Sequence, residues 1–242
     1  MRVHISPVGF EIDRVVSPAI ELKADRVWLI THNNPHEDKA STFVAEIKNK
    51  LKERKIECLE ESADRKDLFD TLRVLRYITG REKGNNIMIN VSTGSKIQSI
   101  ASMMACMMFR DFGTVTPYYV EPENYRSIPD EQETEGLKDI ILLPDYRIEI
   151  PGKNLIKSLE LINKEKSGTL TKKKLRDLAL QENLIHVSEF KENKETAAYM
   201  ALNKNILEPL QKWNFVTVEK SGKRKIVYLS NDGKNALKFL HS

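Results

Sequence analysis

Apolar positions follow two different rhythms along the chain. In the first 143 residues, short runs rich in β-branched side chains (2–7, 26–31, 56–62, 86–91, 114–120 and 139–143) read as strands. Between them lie stretches of helical spacing. Residues 12–22 place Ile12, Val15, Val16, Ala19 and Ile20 on one face, and 39–55 do the same with Phe43, Val44, Ile47 and Leu51; 67–79 and 96–110 complete the set. Strands that alternate with helices predict an α/β domain: a Rossmann-like, mostly parallel sheet with helices on both faces.

The segment 121–136 breaks the alternation. It holds Pro122, Pro129 and five glutamates, Glu121, Glu123, Glu131, Glu133 and Glu135, and reads as an exposed excursion before a last strand. Pro144, Pro151 and Gly152 bracket a short joint, after which the periodicity becomes helical. Helices are expected at 153–166, after a Thr171 cap, and at 194–213, where Pro209 should bend or shorten the last. Two short strands, 215–219 and 225–229, flank a basic tip at 220–224, and a helix over 230–240 closes the chain. Helices followed by a hairpin predict a winged helix-turn-helix domain. The expected domain boundary falls near residue 150, dividing the chain into 1–150 and 151–242.

Charge sharpens that division. The net +4 of the 242 residues splits into 21 basic against 25 acidic side chains in 1–150, and 18 against 10 in 151–242. A −4 part joined to a +8 part suits a chain whose second half alone meets a polyanion. No apolar run is long enough for a membrane span and residues 1–9 lack signal-peptide order, so a cytoplasmic protein with no membrane partner is expected. Cys58 and Cys106 are too isolated for a disulfide framework or a cysteine zinc site.

The chemistry concentrates in loops. Asn90-Val91-Ser92-Thr93-Gly94-Ser95-Lys96 follows a strand and opens a helix, where main-chain amides favour an anion, and its hydroxyls and Lys96 add donors suited to phosphate. A Walker loop would need glycine at Ile89 and Ser or Thr at Ile97, so NTP hydrolysis is not supported. Val8-Gly9-Phe10 after the first strand, and Thr31-His32-Asn33 after the second, stand at the same expected sheet edge. A capped turn without ligand remains an alternative for the first motif, and simple packing for Phe10. His32 and His36, with Glu37 and Asp38, have metal-pair spacing but lie around an Asn-Pro turn; no metal site, cofactor or catalytic residue is expected. The helix at 96–110 carries Met103, Met104, Met107 and Met108 and is apolar nearly all round; core and dimer interface are equally open.

In the second part, Lys194, Thr196, Tyr199, Asn203 and Lys204 are the expected exposed residues of a groove-entering helix. Lys223, Arg224 and Lys225 in the wing, with Lys172, Lys173 and Lys174, are placed for phosphates.

The Val8-Gly9-Phe10 and Asn90 to Lys96 loops on an α/β sheet, followed by a basic winged-helix tail, resemble the CRISPR-associated Rossmann-fold (CARF) family in its transcription-factor form, which occurs largely in archaea. The resemblance implies a homodimer whose joint pocket takes a cyclic oligoadenylate, commonly the tetramer, on Val8, Gly9, Phe10, Ser92, Thr93, Gly94, Ser95 and Lys96, to which the loop after the second strand adds Thr31 and Asn33 as expected ligand-binding residues. It implies a regulator of double-stranded DNA linked to antiviral defence. Some relatives cleave the ligand slowly, so a ring nuclease is the alternative, as is a regulator with another ligand.

Overall fold

The computed structural model describes residues 1–34, 38–126, 131–144, 146–165, 168–187, 193–222 and 224–240. They form two compact units, 1–149 and 150–242.

The first unit runs β1 (Arg2–Pro7), α1 (Asp13–Glu21), β2 (Arg26–His32), α2 (Ser41–Glu53), β3 (Glu57–Ala63), α3 (Leu68–Arg81), β4 (Asn86–Asn90), α4 (Lys96–Met108), β5 (Val115–Glu121), β6 (Asn124–Tyr125), β7 (Thr134–Glu135) and β8 (Asp139–Leu142). The six-stranded sheet has the order β3-β2-β1-β4-β5-β8, parallel except for β8. Alternation along β2 sends Val27 and Leu29 into one layer with Val15 and Val16 of α1 and Ile47 and Leu51 of α2. The opposite layer takes Trp28, whose indole nitrogen donates to buried Glu82 at the end of α3 (2.8 Å). The mostly parallel Rossmann-like sheet is therefore covered on both faces.

Strand order reverses between β1 and β4. The chain leaves β1 toward β2 and β3, then crosses to β4 and β5, so the loops after β1 and β4 diverge and open a crevice at the carboxyl edge.

The acidic stretch is exposed along most of its described length, as expected, but it is not free. β6 and β7 pair as a hairpin, and Thr134 is 1% exposed with its hydroxyl bonded to Glu11 Oε2. Gly136 N–H donates to Asp13 (3.0 Å) and Glu133 N–H to the Phe10 carbonyl (2.9 Å). Those bonds draw a glutamate-rich segment back onto the loop after β1.

The second unit runs α5 (Lys153–Asn163), β9 (Thr169–Thr171), α6 (Lys172–Gln181), α7 (Lys194–Leu202), a π-helical turn (Asn203–Leu207), α8 (Glu208–Lys212), β10 (Val216–Ser221), β11 (Arg224–Leu229) and α9 (Asn231–Leu240). Its core gathers Leu159, Ile162, Leu175, Leu202, Ile206, Leu210 and Val227. Thr171 caps α6, accepting from Lys174 N–H (3.2 Å). The single helix expected at 194–213 is divided. A proline ring clashes with the carbonyl four residues back, and the wide turn just before Pro209 absorbs that conflict without ending the helical path. β9 pairs with β11, turning the two-stranded wing into a three-stranded sheet.

Candidate functional site

At the β1/β4 crevice the two expected loops touch. Gly94 has φ +77°, and a Cβ there would stand 2.6 Å from Pro7 Cβ and 2.8 Å from Gln98 Oε1. A Cβ on Gly9 would lie 3.3 Å from the Gly94 main chain. Glycine at both positions is what lets the loops close on each other.

The hydroxyls of the second loop build the loop itself. Thr93 Oγ1 donates to the Pro7 carbonyl (2.7 Å), Ser95 Oγ to the Arg65 carbonyl (2.9 Å), and Ser92 Oγ to Asn90 Oδ1. Ser95 also forms a capping box with Gln98 at the start of α4. This corrects the expectation of three hydroxyls donating to phosphate, because their protons are already committed. What the loop leaves over is main chain: the N–H groups of Lys96 and Ile97, in the first turn of α4, and of Gly94 just before its cap find no acceptor among the described residues.

A recess of about 220 Å³ lies on these loops, lined by Val8, Gly9, Phe10 and Glu11 from the first and Ser92, Thr93, Gly94 and Ser95 from the second. Phe10 lines it with one side while packing against Phe43, ring centroids 5.3 Å apart. Three further side chains complete the wall: Arg14 from α1, Arg65 after β3, and Glu133 from the hairpin. Thr31 and Asn33 stand elsewhere. Thr31 Oγ1 donates to Glu60 (3.1 Å) and Asn33 N–H to the Ala63 carbonyl (3.1 Å), both toward β3. Lys96 is exposed and outside the recess lining. His32 is buried with Nδ1 3.4 Å from the Ala63 carbonyl, and His36 and Glu37 lie outside the described residues. Among the described residues no cluster of three metal-ligating side chains occurs.

Both arginines have resident partners. Arg14, 6% exposed, donates to Glu11 Oε1 (3.2 Å) and the Val120 carbonyl (3.0 Å), with its guanidinium 5.0 Å from the Tyr119 ring centroid. Burial pushes the Glu11 carboxyl above its ordinary pKa, against the lowering effect of Thr134 and Arg14. Arg65 pairs with Asp38 (2.5 Å), while its Nε is buried without an acceptor among the described residues.

Behind the recess, Asn90 is fully buried, donating to the Arg14 carbonyl (2.8 Å) and accepting from Ser92 N–H (2.9 Å). Tyr118 pairs with Asn90 across β4 and β5, and its hydroxyl sits 3.2 Å from His4 Nδ1. Burial and the charge of Arg2 hold His4 down at about 4.

The long face of α4 is divided. Ala101, Ser102, Ala105 and Cys106 are buried, whereas Ile97 and Ile100 are exposed and Met103, Met104, Met107 and Met108 are half-buried. The exposed Ile141 and Leu142 of β8 add to the apolar surface of this unit.

In the second unit a larger recess, about 670 Å³, is lined by Thr171, Lys172, Lys173, Tyr199, Arg224 and Lys225. Strand β9 delivers the start of α6 directly beside β11, so the cations of α6 and the wing converge. Burial and the charge of Lys225 lower the Lys172 pKa. Lys172 Nζ lies 6.0 Å from the Tyr199 ring centroid, and Arg176 covers that ring at 4.5 Å while bonded to Asp177 and Glu195 (2.6 Å each). Lys194, Thr196 and Lys204 are exposed and Asn203 is half-buried; Lys223 lies outside the described residues. No described helix is long and apolar enough to cross a membrane.

Residues 2–125 match the family described as HFX_2341_N-like, N-terminal, and 154–241 match the DUF6293 C-terminal winged helix domain. An uncharacterized protein, MJ1513, of Methanocaldococcus jannaschii is 27% identical over 75% of this chain and 62% of its own length. Among solved structures, Can2 from Sulfobacillus thermosulfidooxidans in complex with cyclic tetra-adenylate is 18% identical, with a TM-score of 0.42 over 98% of this chain and 63% of Can2. Protein VC1899 from Vibrio cholerae is 13% identical, with a TM-score of 0.43 over 98% of this chain and 64% of its own. The chain thus spans less than two thirds of the length of each of these three proteins. By its matches over both halves, the chain belongs to the HFX_2341_N-like family and carries the DUF6293 winged helix domain at its C-terminal end.

Proposed function

We propose that the protein is a dimeric DNA-binding transcriptional regulator whose first domain, residues 1–150, senses a cyclic oligoadenylate, with cyclic tetra-adenylate the first ligand to test, and whose second, 151–242, binds double-stranded DNA. The observation that carries the reading is the meeting of the Gly9 and Gly94 loops at the strand-order reversal, where Gly94, whose main-chain amide is unsatisfied, and two arginines line one recess. Amides at a helix start take phosphate oxygens, and Phe10 offers a face to an adenine. At about 220 Å³ the recess is smaller than the roughly 300–1,000 Å³ typical of ligand pockets. A second copy across a two-fold axis doubles the loop set, which suits a cyclic ligand with the same symmetry. The apolar face of α4 suits the contact between copies.

The basic recess of the winged helix supports the DNA half. Its cations stand where phosphates of a duplex can neutralise them, a term that dominates affinity at low salt.

Thermal-shift titration tests the ligand. Cyclic tetra-adenylate stabilises the wild type by mass action, by about 2.7 kcal/mol at a hundredfold excess over Kd. Arg65→Ala, which removes a cation from the recess, loses most of that shift. A second reading, slow ligand cleavage, is favoured by Glu11, a buried carboxyl with a raised pKa on the recess wall beside Arg14. Chromatography of cyclic tetra-adenylate after hours with the protein decides it: linear product supports cleavage, and intact ring leaves the sensor alone.

A further inference from the structure

Among the described residues of α7, Met200 is the one large apolar side chain that is exposed. Ala198, Leu202 and Ile206 fix the inner face of this helix at 2%, 0% and 0% exposure. Opposite them stand Thr196 and Met200, both exposed, and Met200 keeps 67% of its surface in water. Thr196 and Met200 are four residues apart and therefore stacked on one ridge. One flank of the ridge is the Tyr199 side, where Lys172, Arg224 and Lys225 converge. A protein partner would call for an apolar patch, and here a single thioether sits beside the Thr196 hydroxyl, with the Glu195 carboxylate bonded to Arg176 and the cations of the recess on the flank. A duplex groove offers a better match, since its major-groove floor presents one apolar group, the 5-methyl of thymine, between rows of phosphates.

We infer that Met200, with the methyl of Thr196 beside it, reads a thymine 5-methyl in the major groove, making Met200 a specificity-determining residue of the DNA-binding unit. The inference rests on the DNA reading above. Lys172, Arg224 and Lys225 hold the phosphates and set affinity for any sequence, while the α7 ridge selects among base pairs.

The test pairs a protein change with a base change. Duplexes are selected from a randomised pool with the full-length wild-type chain, and each thymine of the selected site is replaced in turn by deoxyuridine, which removes only the methyl. At one position per half-site the wild type loses about four-fold in affinity, the size expected for one buried methyl. Met200→Ala shows no further loss at that position, with its salt dependence unchanged. Insensitivity of the wild type to every deoxyuridine, or an undiminished loss in Met200→Ala, overturns the inference while leaving DNA binding intact. A wild-type chain that retains no duplex at low salt overturns the DNA reading, and this inference with it.

Discussion

The two recesses differ in how their charges are answered. In the first unit Arg14 is held by Glu11 and Arg65 by Asp38, with Glu133 on the same wall. In the second, Lys172, Lys173, Arg224 and Lys225 crowd together with no ion pair among the described residues, and burial together with the repulsion of Lys225 lowers the Lys172 pKa against the pull of Glu208. Unanswered cations attract any polyanion and discriminate little. Arginines with resident carboxylates admit only a ligand that offers more than charge, such as phosphates set against main-chain amides and a base against Phe10. The first arrangement suits a selective sensor, and the second a grip on a duplex backbone.

The largest effect is expected where the first recess is tightest. Gly94→Ala combines positive φ with a Cβ 2.6 Å from Pro7, so we expect a loss of about 2–4 kcal/mol in thermal unfolding of the first unit. Ligand-induced stabilisation should vanish while ligand-free DNA affinity stays within two-fold, roughly 0.4 kcal/mol. A parallel loss of DNA binding would break the division between the recesses.

Acid should separate the units next. His4 is buried neutral, its pKa depressed from 6.5 to about 4. The unfolded chain takes up a proton near 6.5 that the folded chain refuses until about 4, so the stabilisation is complete above 6.5 and is lost as pH falls toward 4. The loss approaches about 3 kcal/mol. His4→Gln should flatten that slope in melting curves of the first unit; an unchanged slope would locate the acid sensitivity elsewhere.

Lys225→Ala should weaken binding to all duplexes about ten-fold at low salt and reduce the slope of log affinity against log salt by about one. Binding of the wild type should weaken as pH rises toward the ordinary lysine range, because Lys172 loses its proton early; in Lys225→Ala that decline moves to higher pH. The smallest effect belongs to Thr134→Val, which removes a hydroxyl from Glu11 and loosens the hairpin by about 1 kcal/mol, read as faster amide exchange at Glu133 and Gly136.

The sequence pattern revealed the frame of the fold better than its walls. β1 stands at its expected bounds because an alternating apolar run between polar residues leaves little choice, and the Gly9 and Gly94 loops were legible because strand, glycine and helix follow in order. Arg14 and Arg65 were missed, since neither lies in a loop motif. The signal for Arg14 was a cation inside the apolar stripe of α1, between Ile12 and Val15; for Arg65 it was a position just past a strand at the same carboxyl edge. The committed hydroxyls of Thr93 and Ser95 could not be read from residue type, because their acceptors, Pro7 and Arg65, are distant in sequence. β9 was missed for its brevity: three residues show no periodicity, and only the pairing with β11 makes them a strand.

A ligand-responsive regulator requires that occupancy of the first recess change the affinity of the second unit for DNA, which a single titration reads. Affinity of the full-length chain for its selected duplex is measured at fixed salt with and without saturating cyclic tetra-adenylate, in the wild type and in Arg65→Ala. Ligand should change wild-type affinity by at least about five-fold, the lower end of common allosteric couplings, and leave Arg65→Ala unmoved. Equal wild-type affinities with and without the ligand would contradict the account.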